Sequence, residues 1–430
     1  MLKLHFNKIF KNEIILNILM LFSGSTLAQV IPFLIYPLLS RLYTPEEFGT
    51  LALFSNMVMI LSVFATGKYE LAIMLPTKNV NAINITGFCL MLITAFWVFT
   101  MIIILLFGKS IAYALGDPNL YPWIYLLPFS IAFFSVFHVM TSILNRQKRY
   151  RTMASSKIVH SVSSSGIKLG GGFIQAGGGG LIAGTLVGQI SSSVLLFIRY
   201  NFNNKHWQNL LSSRRIKELL IKYRYFPKFT MLHVLSNSIS AGLPIFVFAR
   251  FFSTHQAGLY SLGYSMVFVP LSLFSLAVEQ VLYQDISSKV NSNQKIIPLI
   301  RDTLKTIIAL AIIPFIVLFA FAPSIFGFLF GSDWIDSGFY VQIITPWLLI
   351  AFLASPLSFL PNIFRKQKTA MIIEFVSFAL KLAALSAGVF YSSIKMVLIL
   401  FSTASFIIAG YCLVWYIWLA YIYDKKLKNN

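Results

Sequence analysis

The sequence predicts an all-α polytopic membrane protein of about 12 transmembrane helices in two pseudo-symmetric six-helix bundles. Composition, recurring long apolar runs and the one-sided placement of basic residues predict it. Of 430 residues, 57% are hydrophobic and 11% charged, against about 45–50% and about 25% in soluble domains. Such a chain has too little polar surface to dissolve.

A helix needs about 20 apolar residues to cross a ~30 Å hydrocarbon layer. Runs of that length fall near 15–39, 48–75, 82–107, 122–143, 155–175 and 179–198, then 228–249, 257–283, 304–322, 341–362, 370–391 and 396–421. Lys3, Lys8 and Lys11 ahead of the first run resemble the start of a signal peptide. The run continues through Leu39, which favours an uncleaved span. The fifth run is diluted by Ser161, Ser163, Ser164, Ser165, Lys168 and several glycines.

The net charge of +21 raises a nucleic-acid reading, because clustered Lys and Arg neutralise phosphates. Position decides against it. With twelve spans, 28 of the 34 Lys and Arg fall in segments on one side, Lys157 among them, and only Arg41, Lys109, Arg250 and Lys395 on the other. Lys168 and Lys381 fall inside spans. Basic loops mark the cytoplasmic side, so both termini are expected there. The longest polar segment, Asn201 to Lys228, lies mid-chain on that side. It divides the chain into a bundle at 1–200, a basic linker at 201–227 and a second bundle at 228–430.

The halves echo one another. Sliding the sequence by 209 positions sets Ser40 to Leu71 on Ala249 to Gln280 with six identities in 32 pairs, including Arg41 with Arg250 and Glu70 with Glu279. Arg146-Gln147-Lys148 after the fourth span echoes Lys366-Gln367-Lys368 after the tenth. Six helices per repeat preserve orientation, so the repeat is parallel, about an axis along the membrane normal. Such an arrangement encloses a central cavity.

Gly108-Lys109-Ser110 has the end of a phosphate-binding loop, but Ile103 stands where the earlier glycine belongs. Gly180, Gly184 and Gly188 repeat every four residues, which lets a neighbouring helix approach closely. Cys89 and Cys412 sit in apolar runs without metal-ligand spacing. Pro32, Pro37, Pro244, Pro270, Pro314, Pro346 and Pro356 fall in spans, as fixed kinks or as bends that move. His138, His160 and His233 stand singly, and no Ser/His/Asp or paired-carboxylate arrangement appears. No catalytic group, metal or cofactor is expected.

Charges inside the apolar layer are the sharpest signals, because each costs about 2.5–3.5 kcal/mol at a helix centre unless paired or hydrated. Lys168 and Lys381 fall near the middles of the fifth and eleventh spans, with Glu374 two turns before Lys381. They either neutralise a phosphate or acidic sugar in a cavity, or snorkel, or pair with Glu374. Arg41 and Arg250 end spans one and seven, as cavity cations or interfacial anchors. Glu70 and Glu279, near the inner ends of spans two and eight, are gate or coupling residues, or solvated.

Three segments carry a family resemblance: Ser40-Arg-Leu-Tyr-Thr-Pro-Glu-Glu-Phe-Gly49, Gly67-Lys-Tyr-Glu-Leu-Ala-Ile-Met-Leu-Pro76 and Phe226-Pro-Lys-Phe229. The first recurs weakly as Ala249 to Gly258. They resemble the bacterial polysaccharide-export family, the Wzx-type oligosaccharide flippases related to the multidrug and toxin extrusion (MATE) transporters. The resemblance covers nearly the whole chain and implies a MATE-like two-bundle transporter of the bacterial inner membrane. It implies that undecaprenyl-pyrophosphate-linked oligosaccharide repeat units move from the cytoplasmic to the outer leaflet by alternating access, for O-antigen or capsule assembly. Polymerase and chain-length regulator proteins are the implied partners. Three rivals stand beside it: a MATE-like ion-coupled exporter of small molecules, a polymerase or ligase of the same pathway, and a non-transporting scaffold. An enzyme of that kind is expected to carry a sizeable outer loop, whereas Pro323 to Tyr340, the longest outer segment, is short.

Overall fold

The computed structural model describes residues 13–200 and 211–429, and every regular element among them is helical. The amino-terminal lysines and residues 201–210 of the expected linker lie outside the described residues. Twelve long helices follow in order: α1 (Glu13–Leu42), α2 (Pro45–Thr66), α3 (Asn79–Ala114), α4 (Leu127–Arg146), α5 (Tyr150–Phe173) and α6 (Gly178–Tyr200). Then come α7 (Met231–Phe251), α8 (Thr254–Asn291), α9 (Ile297–Phe330), α10 (Ile335–Ala354), α11 (Gln367–Phe390) and α12 (Ile394–Asn429). Ten are long and apolar enough to cross a membrane. The others are α1, with the apolar stretch Ala28–Leu42, and α5, whose 24 residues include the serines and glycines that lower its hydropathy. The chain is a multi-pass membrane protein.

Each apolar run became one long helix, four of them with a local difference: the runs at 122–143 and 228–249 open on a short 3-10 turn and a π turn, and two others break. The run at 48–75 stops as an α-helix at Thr66, because Gly67 takes the left-handed conformation (φ 55°) at the C-cap. Tyr69–Met74 then forms a 3-10 helix. The run at 341–362 breaks after Ala354 into a 3-10 turn at Ser355–Leu357 and one short helix at Leu360–Ile363. Pro356 and Pro361 each begin one of these pieces, where their missing N–H breaks no hydrogen bond.

The first motif is a helix start. The Thr44 hydroxyl accepts from Glu47 N, the Glu47 carboxylate accepts from Thr44 N at 2.8 Å, and Pro45 occupies the first turn. This is a capping box. At its counterpart in the second half, the Ser253 hydroxyl accepts from Gln256 N at the start of α8.

Two compact units divide the chain, residues 1–242 and 243–430. In the first, α5 packs on α6 and α1, and α4 on α3 and α6. Lipid tails are as apolar as leucine, so burial alone gives such helices little drive to associate; close contact and hydrogen bonds do. A Cβ on Gly184 would come 2.8 Å from Ser164 O, and one on Gly188 would come 2.9 Å from His160 O. The glycine stripe of α6 is therefore the face that meets α5. Buried Phe54, Ile85, Cys89, Ile131 and Met140 fill the core beside it.

Within the expected linker, Ser213–Lys222 is a helix packed on α3. Leu219 is buried while Arg214, Arg215 and Lys217 are exposed. Ser212 N donates to Asn84 Oδ1 at 2.9 Å, and a Cβ on Gly87 would strike Leu211. We call this end of the unit, which also carries the 67–78 loop and the α4–α5 turn, the linker side.

In the second unit, α10 packs on α9, α12 and α8. Ser337 donates to Leu259 O at 2.7 Å, and Ser402 to Ile343 O at 2.9 Å. The element order repeats that of the first unit. The ends of α1 and α7, and the starts of α2 and α8, are each 209 residues apart, as in the sequence echo. Helices α5 and α11 both start and end 217 residues apart. The left-handed residues flanking them, Lys148 with Arg365 and Gln175 with Ser392, keep that interval. The expected pairing of Arg146 with Lys366 is thus three residues out of register. It matched similar basic side chains, whereas the turn itself aligns Lys148 with Arg365.

Candidate functional site

Inside the first unit, α1, α4, α5 and α6 line a cavity of about 240 Å³. Helices α4 and α5 run antiparallel out of the turn at Gln147–Arg149. His138 precedes that turn, and Lys157 follows it, by about the same number of residues, so at 1.5 Å per residue both stand roughly 12 Å in from the linker side. His160 and Ser161 lie one turn further along α5. Gln189 and Ser192 come from α6, and Gln29 from α1. At that distance from its end a helix that crosses a membrane has entered the apolar layer, where such groups require an interior that hydrates or pairs them.

Each polar group has a traceable local cause. The Ser161 hydroxyl donates to Ala28 O, tying α5 to α1, and Ser193 donates to Phe133 O at 2.8 Å, tying α6 to α4. The His160 ring is hydrogen-bonded to the Gly188 backbone, an approach only a glycine permits there. The His138 side chain faces the cavity and stands edge-on to Phe134, ring centres 4.6 Å apart. Lys68, Glu70 and Lys157 are the charges that bear on it. Gln189 is 6% exposed, and its Oε1 has no hydrogen-bond partner. Among the described residues, no group of three or more His, Cys, Asp or Glu could hold a metal ion.

The residues singled out from sequence are dispersed. Lys168 stands five residues before the end of α5, nearer that end than the middle expected for it. It lines a narrow pocket with Tyr36, Phe48 and Ser164, and its carbonyl accepts the Tyr43 hydroxyl at 2.6 Å. Burial, then Glu47, push the Tyr43 pKa up to about 12, which keeps that donor protonated. Lys381 belongs to the second unit, where Glu374 and Cys412 are the groups that bear on its charge. The structural interval of 217 residues aligns Lys168 with Leu385 and Lys381 with Ser164, so the two lysines are not equivalent positions. Arg41 and Arg250 are exposed in the last turns of α1 and α7. Glu70 is buried, with Oε1 3.2 Å from Lys68 Nζ and Oε2 unpartnered. Glu279 is half-buried and hydrogen-bonds the Ser358 side chain.

The cavity groups of the first unit went unseen in the sequence for two reasons. Lys157 was counted with the basic loop, although its helix carries it into the layer. His138 and His160 were read singly, although an antiparallel hairpin brings them together. Counting residues outward from the Gln147–Arg149 turn would have revealed the match in depth.

The residues of the cavity and the helix order define a multi-pass protein with a polar interior in its first bundle, a fold found in transporters. The inward-facing structure of a multidrug resistance MATE family transporter of the MOP superfamily superposes with TM-score 0.68 at 14% identity, covering 94% of this chain and 99% of that one. The lipid II flippase MurJ, in an inward closed conformation, gives TM-score 0.68 at 16% identity over 96% and 90%. A MATE structure in the bent conformation gives 0.60 at 14% over 96% of each. No curated protein matches the sequence. Residues 38–338 match the family described as polysaccharide biosynthesis protein, and the chain belongs to it.

Proposed function

We propose that this protein is a flippase, not an enzyme. In this reading it carries undecaprenyl-pyrophosphate-linked oligosaccharide repeat units from the cytoplasmic to the outer leaflet of the inner membrane by alternating access, for surface polysaccharide such as O-antigen or capsule. The linker side is the cytoplasmic side, with both termini there. The observation that carries the reading is a cavity lined by a lysine, two histidines and amide and hydroxyl groups within a helical bundle of a polysaccharide biosynthesis family member. A glycan cannot cross hydrocarbon unaided, since each unsatisfied polar group costs several kcal/mol there. Amides, hydroxyls and cations at that depth lower the barrier, while the lipid tail stays in the bilayer.

Lys168, Lys381, Arg41 and Arg250 serve this path as cations, and Glu70, Glu279 and Glu374 as gating or coupling carboxylates. Polymerase and chain-length regulator proteins take the product onward. One observation favours a small-molecule exporter: an apolar cavity of about 280 Å³ in the second unit, lined by Phe268, Trp347 and Phe352. Among the described residues no carboxylate lines it, so a cationic drug would be held there by aromatic faces alone.

Deleting the protein in its host and analysing lipid-linked intermediates tests the proposal. Complete, unpolymerised repeat units are expected to accumulate on the cytoplasmic leaflet. Their accumulation on the outer leaflet would indicate a polymerase instead.

A further inference from the structure

The segment that leads from the linker helix into α7 has two apolar faces, and the first unit uses one of them. Leu219 is buried, and Leu220, Tyr223 and Phe226 pack against the same core. Ile221, Tyr225 and Phe229, at four-residue spacing, form the other: they are 60%, 63% and 50% exposed, and the rings of Tyr225 and Phe229 lie 4.8 Å apart. Arg214, Arg215, Lys217, Lys222, Arg224 and Lys228 accompany that stripe, all exposed. Glu218 is the one acidic residue between Leu211 and Thr230, and it stands 3.4 Å from Arg214, so five of the six cations are left uncompensated by it.

Depth decides what this surface meets. Ser212 N donates to Asn84 Oδ1 and Leu211 lies against Gly87, both where the apolar run of α3 begins. Phe229 stands where the run at 228–249 begins. Both ends of the segment are therefore at the boundary between headgroups and hydrocarbon. At that level an apolar stripe rests on acyl chains and basic neighbours meet headgroup phosphates. Zwitterionic lipid offers this set of cations no net charge, and a second copy of the surface would set like charges against like.

We infer that residues 213–229 form a docking surface for anionic phospholipid, with Ile221, Tyr225 and Phe229 entering the acyl boundary and the neighbouring Lys and Arg holding the headgroups. The Tyr69 hydroxyl donates to Leu220 O, and a Cβ on Gly67 would stand 3.9 Å from Pro227 Cβ. The docked segment thereby steadies the 67–78 loop from the membrane side.

The test uses the full-length protein in nanodiscs, with Cys89 and Cys412 replaced by Ala and an environment-sensitive fluorophore attached through Tyr225→Cys. The discs are phosphatidylcholine, with or without about one third phosphatidylglycerol, and carry a nitroxide quencher high on the acyl chains. The ratio of quenched to unquenched fluorophore is expected to rise about tenfold or more with phosphatidylglycerol, since each basic side chain near an anionic surface contributes about fivefold. Joint replacement Lys217→Gln, Lys222→Gln and Arg224→Gln is expected to reduce that rise to about threefold or less. The charge-keeping set Lys217→Arg, Lys222→Arg and Arg224→Lys, eluting as a single species, is expected to retain it, which separates lost charge from lost fold. Equal quenching in both lipids would overturn the anionic preference, and no quenching in either would overturn the docking itself. The same rise on adding a trace of undecaprenyl diphosphate to phosphatidylcholine alone would overturn the phospholipid as occupant in favour of the polyprenyl headgroup. None of these readouts requires transport, so the flippase reading stands or falls separately.

Discussion

Asp117 is buried where the α3–α4 connection meets α2, on the side opposite the linker. The Thr50 hydroxyl donates to its Oδ2 at 2.6 Å and Asn119 N donates to Oδ1 at 3.1 Å. Burial raises its pKa from the ordinary 3.8, and those hydrogen bonds only partly oppose the rise. The folded state thus holds the proton more tightly than the unfolded chain. Its stabilising contribution is complete below pH 3.8 and is lost as pH rises through the folded value. Replacing Asp117 with Asn is expected to flatten the decline of the unfolding midpoint above pH 4 in detergent. Parallel pH profiles for the two proteins would refute this account. Nothing in the sequence marked Asp117, because its partner Thr50 lies 67 positions away. The intramembrane lysines were legible as chain positions, since composition alone marks a charge in an apolar run. Their neighbours were not, because facing depends on helix rotation and on which helix packs opposite. Gly184, readable as a packing residue, is what the backbone of α5 around Ser164 and Lys168 rests against.

At the scale of elements, the segment lengths and the order of twelve helices were readable from local pattern. Three long-range fastenings were not. Arg146, at the end of α4, donates to Ile73 O, Met74 O, Thr77 O and Asn79 Oδ1, holding the loop that follows the Tyr69–Met74 turn. The Tyr69 hydroxyl reaches Leu220 O in the linker helix. In the second unit Asp424, near the end of α12, accepts from Ile296 N at 2.9 Å and Ile297 N at 3.0 Å, capping α9 from 127 residues away. A carboxylate at a helix N-terminus satisfies orphan donors and complements the helix dipole. Each charge-assisted bond is worth about 1.5–3 kcal/mol. Asp424→Ala is expected to lower the unfolding free energy by about 3–6 kcal/mol, the sum of two such bonds, measured by denaturant titration in mixed micelles. Asp424→Asn, whose amide oxygen still accepts one bond, is expected to lose about half of that. A neutral Asp424→Ala change would show that the carboxylate merely neighbours the helix start. The sequence lists Asp424 beside Lys425 and Lys426, where it reads as one more solvated terminal charge.

For the whole molecule, topology and orientation rest on different physics. Topology follows from hydrocarbon length, which is why twelve apolar runs sufficed to find twelve helices. Orientation follows from charge, because basic segments resist transfer across the membrane. The linker helix Ser213–Lys222 sharpens that argument: it exposes Arg214, Arg215 and Lys217 while burying Leu219 against the first unit, an arrangement suited to an anionic lipid surface. On the opposite side, Lys109 is exposed near the end of α3. Single cysteines at these places read the orientation directly, in a background where Cys89 and Cys412 are replaced by Ala. Cys89 is buried and Cys412 half-buried, and alanine leaves less volume than it removes, so neither change overpacks a helix contact. In intact spheroplasts, a membrane-impermeant maleimide is expected to label Lys109→Cys. Arg214→Cys is expected to react only after permeabilisation. The reverse pattern would place 28 of the 34 basic side chains outside the cell, against the charge rule. It would also turn the linker side outward, and a cavity group such as Lys157 would then lie nearer the outer leaflet than the inner one.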